Sequence, residues 1–349
     1  MKILFVLKRR PDFNPVQHSA KGLSTGLFNS ASFMDHMLNI AGIESAMEVA
    51  IDNNCIDRMV RQHRPTHVIL EALWVIPTKF AVLTKLHPSV TWIVRLHSEM
   101  PFLSGEGMAM NWIGDYLTYK QIHIGVNAPR MLSETKEFVK TVYTWSDEQV
   151  NERVVYMPNF YPKEYHTKYF AEKPWVDISC FGAIRPLKNH MVQAMAALKF
   201  ANMTGKKLRF HINSGRIEMK GDPHINNLRN MFEHLAGTGH ELISHEWTPR
   251  EGFLKICAQM DIGMQCNFSE TFNIVGADLV CQGVPLVGSK EIPWIDPISN
   301  ADPTSSDDIT RALFSAWTAP HINVQLNQQS LDKYTTKTRT IWLDYFRGL

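Results

Sequence analysis

The sequence predicts an α/β protein of two domains, each built on a parallel sheet. Compact apolar runs of strand length alternate with amphipathic segments of helix length along most of the chain, the signature of β-α-β units. The 349 residues are the length of two ordinary domains. A polar and aromatic stretch, PKEYHTKYFAEKPW, with Pro162 and Pro174 near its ends, interrupts the alternation and reads as a linker. The expected domains are 1–165 and 166–325, with a C-terminal helical segment over 326–349.

The first strand is the apolar run 2–7. A basic and polar loop follows, with Lys8, Arg9, Arg10, His18, Lys21, Gly22 and Gly26. Residues 26–41 then place Leu27, Ala31, Met34 and Leu38 on one helical face. A loop with two glycines that opens a helix is either a plain turn or a place where backbone approaches a phosphate or sugar. Further strands are expected over 44–50, 67–72, 92–97, 123–127 and 154–157, and helices over 55–64, 77–87, 107–119 and 130–145. In open parallel sheets ligands bind beyond the carboxyl ends of the strands. That rule singles out Glu71, His97, Asn127 and Asn159. Arg95 has two readings, as a core arginine or as part of a site. Gly105-Glu106-Gly107 is either a loop over a ligand or a helix start.

The second half repeats the pattern. Strands are expected over 177–181, 208–212 and 241–246, and helices over 190–201, 225–235 and 250–260. Ser305-Ser306-Asp307-Asp308 is a capping signal for a helix over 309–317. The tail carries Tyr334, Ile341, Trp342, Tyr345 and Phe346, an aromatic face that needs a partner. Lys188 opens a helix, where a cation is unfavourable unless an anion joins it.

The stretch 261–290, DIGMQCNFSETFNIVGADLVCQGVPLVGSK, reads as strand, helix start, short helix, turn, strand. A helix beginning at Thr271-Phe272-Asn273 would offer free N–H groups and the positive end of its dipole to an anion. Glu270 and Asp278 stand eight residues apart. An eight-residue helical step rises about 12 Å and returns to nearly the same face. Two carboxylates so placed suit the two polyol ends of an extended nucleotide sugar; the alternative is an acidic start that stabilises its own helix.

Bulk composition excludes several classes. Hydrophobic content of 44% and charged content of 20% describe an ordinary globular chain. A net charge of +2 gives no strong bulk field for nucleic acid, leaving a local basic groove open. Five scattered cysteines (Cys55, Cys180, Cys257, Cys266 and Cys281) form no C-x-x-C pair and no zinc spacing, and read as reduced core thiols. The N-terminal apolar run is too short and too soon followed by charge for a signal peptide, and no run of eighteen apolar residues occurs. The expectation is a cytoplasmic protein without a transmembrane segment.

The string Ser269-Glu270-Thr271-Phe272-Asn273-Ile274-Val275-Gly276-Ala277-Asp278, followed by Gly283-Val284-Pro285-Leu286-Val287, resembles the donor-site motif of GT-B glycosyltransferases. More narrowly, it resembles the retaining enzymes of the group 1, family 4 type, with Asp278 where that pattern has a second Glu. Gly182-Ala183-Ile184-Arg185-Pro186-Leu187-Lys188-Asn189 is similar to the same family's phosphate loop, although the family's arginine position holds Ala183 and Arg185 lies two residues later. The resemblance implies two Rossmann-like domains facing across a cleft, the last helix crossing back to the first. It implies that Glu270 holds sugar hydroxyls and Asp278 ribose hydroxyls. Lys188, Arg185 and the helix start at Thr271, Phe272 and Asn273 would take the diphosphate, with Gly26 and Gly182 approaching the donor. Asn213 and Gly215 would lie at the base edge, and His97 would meet the sugar from the first domain. No cofactor is implied, the nucleoside diphosphate sugar (UDP first) being a co-substrate. No Asp-x-Asp pair occurs, so no metal is indicated for the diphosphate.

Residues 18–28, 67–74 and 92–102 resemble glycosyltransferases of large tailed phages, some of which glycosylate hydroxymethylcytosine in DNA. That resemblance would place the protein in a host cytoplasm. An acceptor of that kind needs a basic groove and a flipped base, for which Lys8, Arg9, Arg10, Lys21, Arg58, Arg61 and Arg64 are candidates; ordinary solvated charge is the alternative. A cell-surface glycan such as lipopolysaccharide is the other acceptor class. A nucleotide-sugar epimerase of the same fold, or a non-catalytic sugar binder, is the other functional class. Only Glu71 and Glu99 stand as extra carboxylates for an epimerase.

Overall fold

The expected strands all form, in two separate all-parallel sheets. The computed structural model describes residues 1–9 and 26–348. These divide into two units, one holding 1–9, 26–162 and 335–348 and the other 163–334. The loop positions Arg10, His18, Lys21 and Gly22 lie outside the described residues.

The first unit carries β1 (Lys2–Lys8), β2 (Glu44–Ala50), β3 (His67–Glu71), β4 (Thr91–Leu96), β5 (Ile122–Val126) and β6 (Val154–Tyr156), in the order β2-β1-β3-β4-β5-β6. Its helices are α1 (Gly26–Ile40), α2 (Cys55–His63), α3 (Phe80–Leu86), α4 (Met100–Leu103), α5 (Ala109–Leu117), α6 (Pro129–Tyr143) and α7 (Asp147–Arg153). Register pairs Phe5 with Ile69 and Ile69 with Ile93. These three side chains enter one core with Met34, Leu38 and Trp342, while Val68, Leu70 and Val94 enter another with Ile56, Phe80 and Trp92. Burial on both faces explains why β1, β3 and β4 are nearly continuous apolar runs.

The second unit carries β7 (Trp175–Cys180), β8 (Lys207–Asn213), β9 (Glu241–His245), β10 (Ile262–Gln265) and β11 (Leu286–Gly288), in the order β11-β10-β7-β8-β9. Its helices are α8 (His190–Met203), α9 (Asp222–Glu233), α10 (Arg250–Cys257), α11 (Ile274–Cys281) and α12 (Ser306–Thr318). Ile178, Phe210, Ile212 and Met264 pack against Ala197 and Phe200 of α8 and Leu313 of α12. The Ser305 side chain caps α12 by accepting from the Asp308 N–H, as the capping signal implied. Residues 163–174 contain no helix or strand.

The last helix, α13 (Pro320–Arg347), runs from the second unit into the first. Its aromatic end finds the partner it needed. Trp342 and Phe346 are buried in the first unit, Trp342 lies 6.1 Å from Phe5 between ring centroids, and Trp342 donates from Nε1 to the Pro158 carbonyl (2.9 Å).

Several expectations change. The helix expected over 130–145 ends at Tyr143, and α7 follows as a separate helix, because Ser146 and Gln149 form a reciprocal capping box. The segment expected as one helix over 77–87 opens as a 3-10 turn, Pro77–Lys79, before α3. Gly105, Glu106 and Gly107 occupy the turns between α4 and α5. Cys55 is partly exposed at the start of α2, whereas the other four thiols are buried.

The helix expected to begin at Thr271–Asn273 begins at Ile274. Asn273, at φ 64°, is its N-cap and accepts from the Gly276 N–H through its side chain. Glu270 therefore lies in the preceding loop, and the eight-residue helical step does not relate it to Asp278.

Candidate active site

The second unit gathers polar side chains at the carboxyl ends of β7 and β10. Gly182 follows β7 at φ 122°, a conformation that L side chains rarely adopt, and donates its N–H to Asn213 Oδ1 (3.1 Å). A Cβ on Gly182 would lie 3.4 Å from Lys188 Cε. The chain then makes a 3-10 turn, Pro186–Lys188, and Asn189 adopts φ 55° to start α8. Asn189 donates to the carbonyls of Cys266 (3.0 Å) and Pro303 (2.7 Å), which fixes the turn.

This turn buries Lys188 and aims it at the loop after β10. Lys188 Nζ donates to Glu270 Oε1 at 2.5 Å, and Asn267 Nδ2 donates to the same oxygen at 2.7 Å. Gln265, the last residue of β10, accepts at Oε1 from Asn273 Nδ2 (2.8 Å), Asn267 Nδ2 (3.1 Å) and Lys188 Nζ (3.5 Å). Lys188, Glu270, Gln265, Asn267 and Asn273 are all buried. A buried ion pair is tolerable when further hydrogen bonds complete it, and Asn267 and Gln265 supply them. The cluster lies against the start of α11, whose dipole adds positive potential.

Other expected residues have different surroundings. Asp278 lies inside α11 and is buried, its carboxylate accepting from Arg250 Nη1 of α10. Arg185 lies 3.6 Å from the Glu218 carboxylate, which also pairs with Arg216 at 2.5 Å. Phe272 is a core residue: its ring lies 6.1 Å from Trp294 and 5.6 Å from Tyr334, and its carbonyl accepts from Trp294 Nε1 (2.6 Å). Thr271 is buried beside it. Gly215 is exposed, and a Cβ there would meet the Trp247 amide nitrogen at 2.9 Å. Gly26 is the exposed first residue of α1 in the first unit.

The first unit has its own buried polar cluster, made of the strand-end residues. Arg95 donates from Nη1 to Glu71 (3.1 Å), from Nε to the Met157 carbonyl (3.0 Å), and from Nη2 to the Pro158 carbonyl (3.1 Å) and Asn159 Oδ1 (2.5 Å). It is fully buried, so the core reading of Arg95 holds. His97 Nε2 pairs with Glu71 Oε2, and His97 Nδ1 faces Asn127 Nδ2 at 3.3 Å. Burial pushes the His97 imidazole below its ordinary value, Glu71 pulls it back in part, and Arg95 adds to the fall. Burial alone would raise Glu71, but Arg95 and His97 more than offset it and hold the carboxyl low. A neutral imidazole donating Nε2–H to Glu71 and accepting at Nδ1 from Asn127 has both ring nitrogens satisfied. Glu99 pairs with Arg130.

Gln265, Asn267 and Arg250 were not singled out by the sequence. Gln265 had a signal, because it ends a strand as Glu71 does. Arg250 had none, because only the fold brings Asp278 near it; Asn267 stands three residues before Glu270 and could have been read with it.

No family model matches this chain, and no curated protein matches its sequence. Solved structures do match its fold. An apo structure of OtsA superposes with a TM-score of 0.70 at 10% identity, covering 98% of each chain. The UDP-forming α,α-trehalose-phosphate synthase of Burkholderia vietnamiensis gives 0.67 at 11% identity, covering 100% of this chain and 96% of that one. A trehalose-6-phosphate structure from E. coli, bound with UDP-2-fluoro glucose, gives 0.68 at 12% identity over 100% and 98%. At these identities the likeness shows the fold: two parallel-sheet α/β units of the GT-B type, as the sequence led one to expect.

Proposed function

We propose that this protein is a retaining glycosyltransferase that takes a sugar from a nucleoside diphosphate donor, UDP-sugar first, and passes it to a hydroxyl. The observation that carries the reading is the buried Lys188–Glu270 pair beside the start of α11. A cation and a helix start suit a diphosphate, and a carboxylate beside them suits sugar hydroxyls. Solved structures of similar fold include a UDP-forming synthase and a complex with a UDP-sugar analogue, which supports the reading.

In the proposed reaction the acceptor oxygen bonds to the anomeric carbon on the face from which the nucleoside diphosphate leaves. The acceptor's proton passes to the leaving phosphate oxygen. Lys188 and the α11 start stabilise that developing anion, Glu270 orients the sugar, and His97, its Nε2–H held by Glu71, would accept at Nδ1 from a sugar hydroxyl in place of Asn127. Arg250 presents its guanidinium to Asp278, so a ribose hydroxyl bound there would share the carboxylate with it.

The acceptor we propose is hydroxymethylcytosine in duplex DNA, on the resemblance of the first-unit segments to phage enzymes. Exposed Arg58, Arg61 and Arg64 on and after α2 offer cationic contacts, although Arg61 is already paired with Asp57 (3.0 Å). A panel of nucleotide sugars with hydroxymethylcytosine DNA, a lipopolysaccharide core and free sugar phosphates, read by mass spectrometry, tests donor and acceptor together. The expected result is one glycosylated DNA product, lost in Glu270→Ala and His97→Ala. Turnover untouched by both substitutions overturns the transferase site. Absence of duplex binding at low salt, where phosphate contacts are strongest, overturns the DNA acceptor alone.

A further inference from the structure

Gln265 holds the cluster together through one atom, and its hydrogen-bond directions are dictated from both ends by groups that have no choice. The Gly276 backbone N–H can only donate, and it donates to Asn273 Oδ1 at 2.7 Å. That turns Asn273 Nδ2 toward Gln265, which must answer with its oxygen (2.8 Å). The Phe181 backbone carbonyl can only accept, and it receives Gln265 Nε2 at 2.9 Å. Lys188 Nζ is also a pure donor and faces the same Oε1. The carboxamide therefore cannot flip. It is a fixed acceptor linking the α11 cap to the Lys188 ammonium, and it is fully buried.

We propose that Gln265 is a positioning residue of the donor site: its carboxamide oxygen holds Lys188 and the α11 cap Asn273 in one register, so that the ammonium and the helix start meet the same diphosphate. This rests on the donor reading given above. The neutral amide matters as much as its placement. It draws Lys188 only weakly, at 3.5 Å, and adds no second anion beside Glu270, with which Lys188 is already paired. A carboxylate in its place would compete with the diphosphate for Lys188, and could not donate to the Phe181 carbonyl.

The test measures dissociation constants of UDP and of uridine, with GDP/guanosine and ADP/adenosine as parallel pairs. The nucleoside-to-diphosphate ratio isolates the phosphate contribution from the base and ribose. Gln265→Glu is expected to reduce that ratio tenfold or more. Gln265→Met, which is uncharged and of similar length, should reduce it about threefold, and it serves if the glutamate variant does not fold. In a Lys188→Met background, Gln265→Glu should change the ratio less than twofold, because its effect passes through Lys188. If Gln265 only supports the fold, both variants lower the melting temperature and leave the ratio unchanged, which overturns the proposal. If the unsubstituted protein binds none of the diphosphates more tightly than its nucleoside, the donor reading itself fails. The two failures are therefore distinct.

Discussion

Lys188 and Glu270 stand 82 residues apart in the chain, yet their charged groups meet at 2.5 Å in a buried setting. Removing one partner strands the other charge without water, at a cost of about 3–5 kcal/mol. Lys188→Met alone, or Glu270→Gln alone, should each lower unfolding stability. The double variant should be more stable than the sum of the two losses predicts, by at least 1 kcal/mol on the scale typical of coupled neighbours, about 0.5–3 kcal/mol. Chemical denaturation of the four proteins checks this. Strict additivity would show that the pair does not act as a unit. Donor turnover should also fall by roughly 10²–10³ in Lys188→Met, the range for loss of one stabiliser of a developing anion.

A second expectation concerns pH. His190 is buried at the start of α8, and neither ring nitrogen has a hydrogen-bond partner among the described residues. Burial, with Lys188, His224 and Arg185 nearby, lowers its pKa from 6.5 to about 3. Burial, then Arg153 and His67, lower His123 to about 4. Both folded values lie below the unfolded one, so the unfolded chain binds more protons as pH falls. Their contribution to stability is therefore fully present above about pH 6.5 and is lost progressively below it. At pH 5.5, which lies above both folded values, the loss is about 1.4 kcal/mol for each histidine. Denaturation midpoints at pH 7.5 and 5.5 check the sign. His190→Leu should flatten the dependence and cost little at pH 7.5, since it removes a polar group that has no partner to lose. An unchanged slope in that variant would sink the assignment.

Much of this arrangement was legible before the structure. The inner strands, such as β1, β3, β4 and β10, followed from apolar runs because both of their faces are covered. Glu71, His97, Asn127 and Asn159 followed from the rule that chemistry collects at strand ends, and the first unit does bring them into one cluster. The motif positions Lys188, Glu270 and Asn273 meet in one network of the second unit. What local pattern could not supply was partnership. Arg250 reaches Asp278 from another helix, Arg185 turns to Glu218, and Gln265, though a strand end, meets Lys188 from 77 residues away. The start of α11 was misjudged because an Asn at positive φ, a cap signature visible only in the backbone, stands where the helix seemed already under way.

The last expectation joins the C-terminal helix to the first-unit cluster. Trp342 is fully buried, donates to the Pro158 carbonyl, and lies under the Arg95 guanidinium at 5.2 Å from its ring centroid. The Pro158 carbonyl also accepts from Arg95, and Arg95 in turn holds Glu71, the partner of His97. Trp342→Ala should therefore act in two ways. It should destabilise the first unit by about 3–5 kcal/mol, as large-to-small changes at buried aromatics do. It should also loosen the Pro158 turn and with it the Arg95–Glu71–His97 chain. Trp342→Phe keeps most of the apolar contact and loses the indole N–H bond, so its stability cost should be about 1 kcal/mol. Denaturation followed by a probe in the first unit measures the first effect. The second is read from the His97 imidazole by nuclear magnetic resonance, as a change in its tautomer or titration in Trp342→Ala and its preservation in Trp342→Phe. A His97 signal indifferent to both substitutions would limit Trp342 to packing.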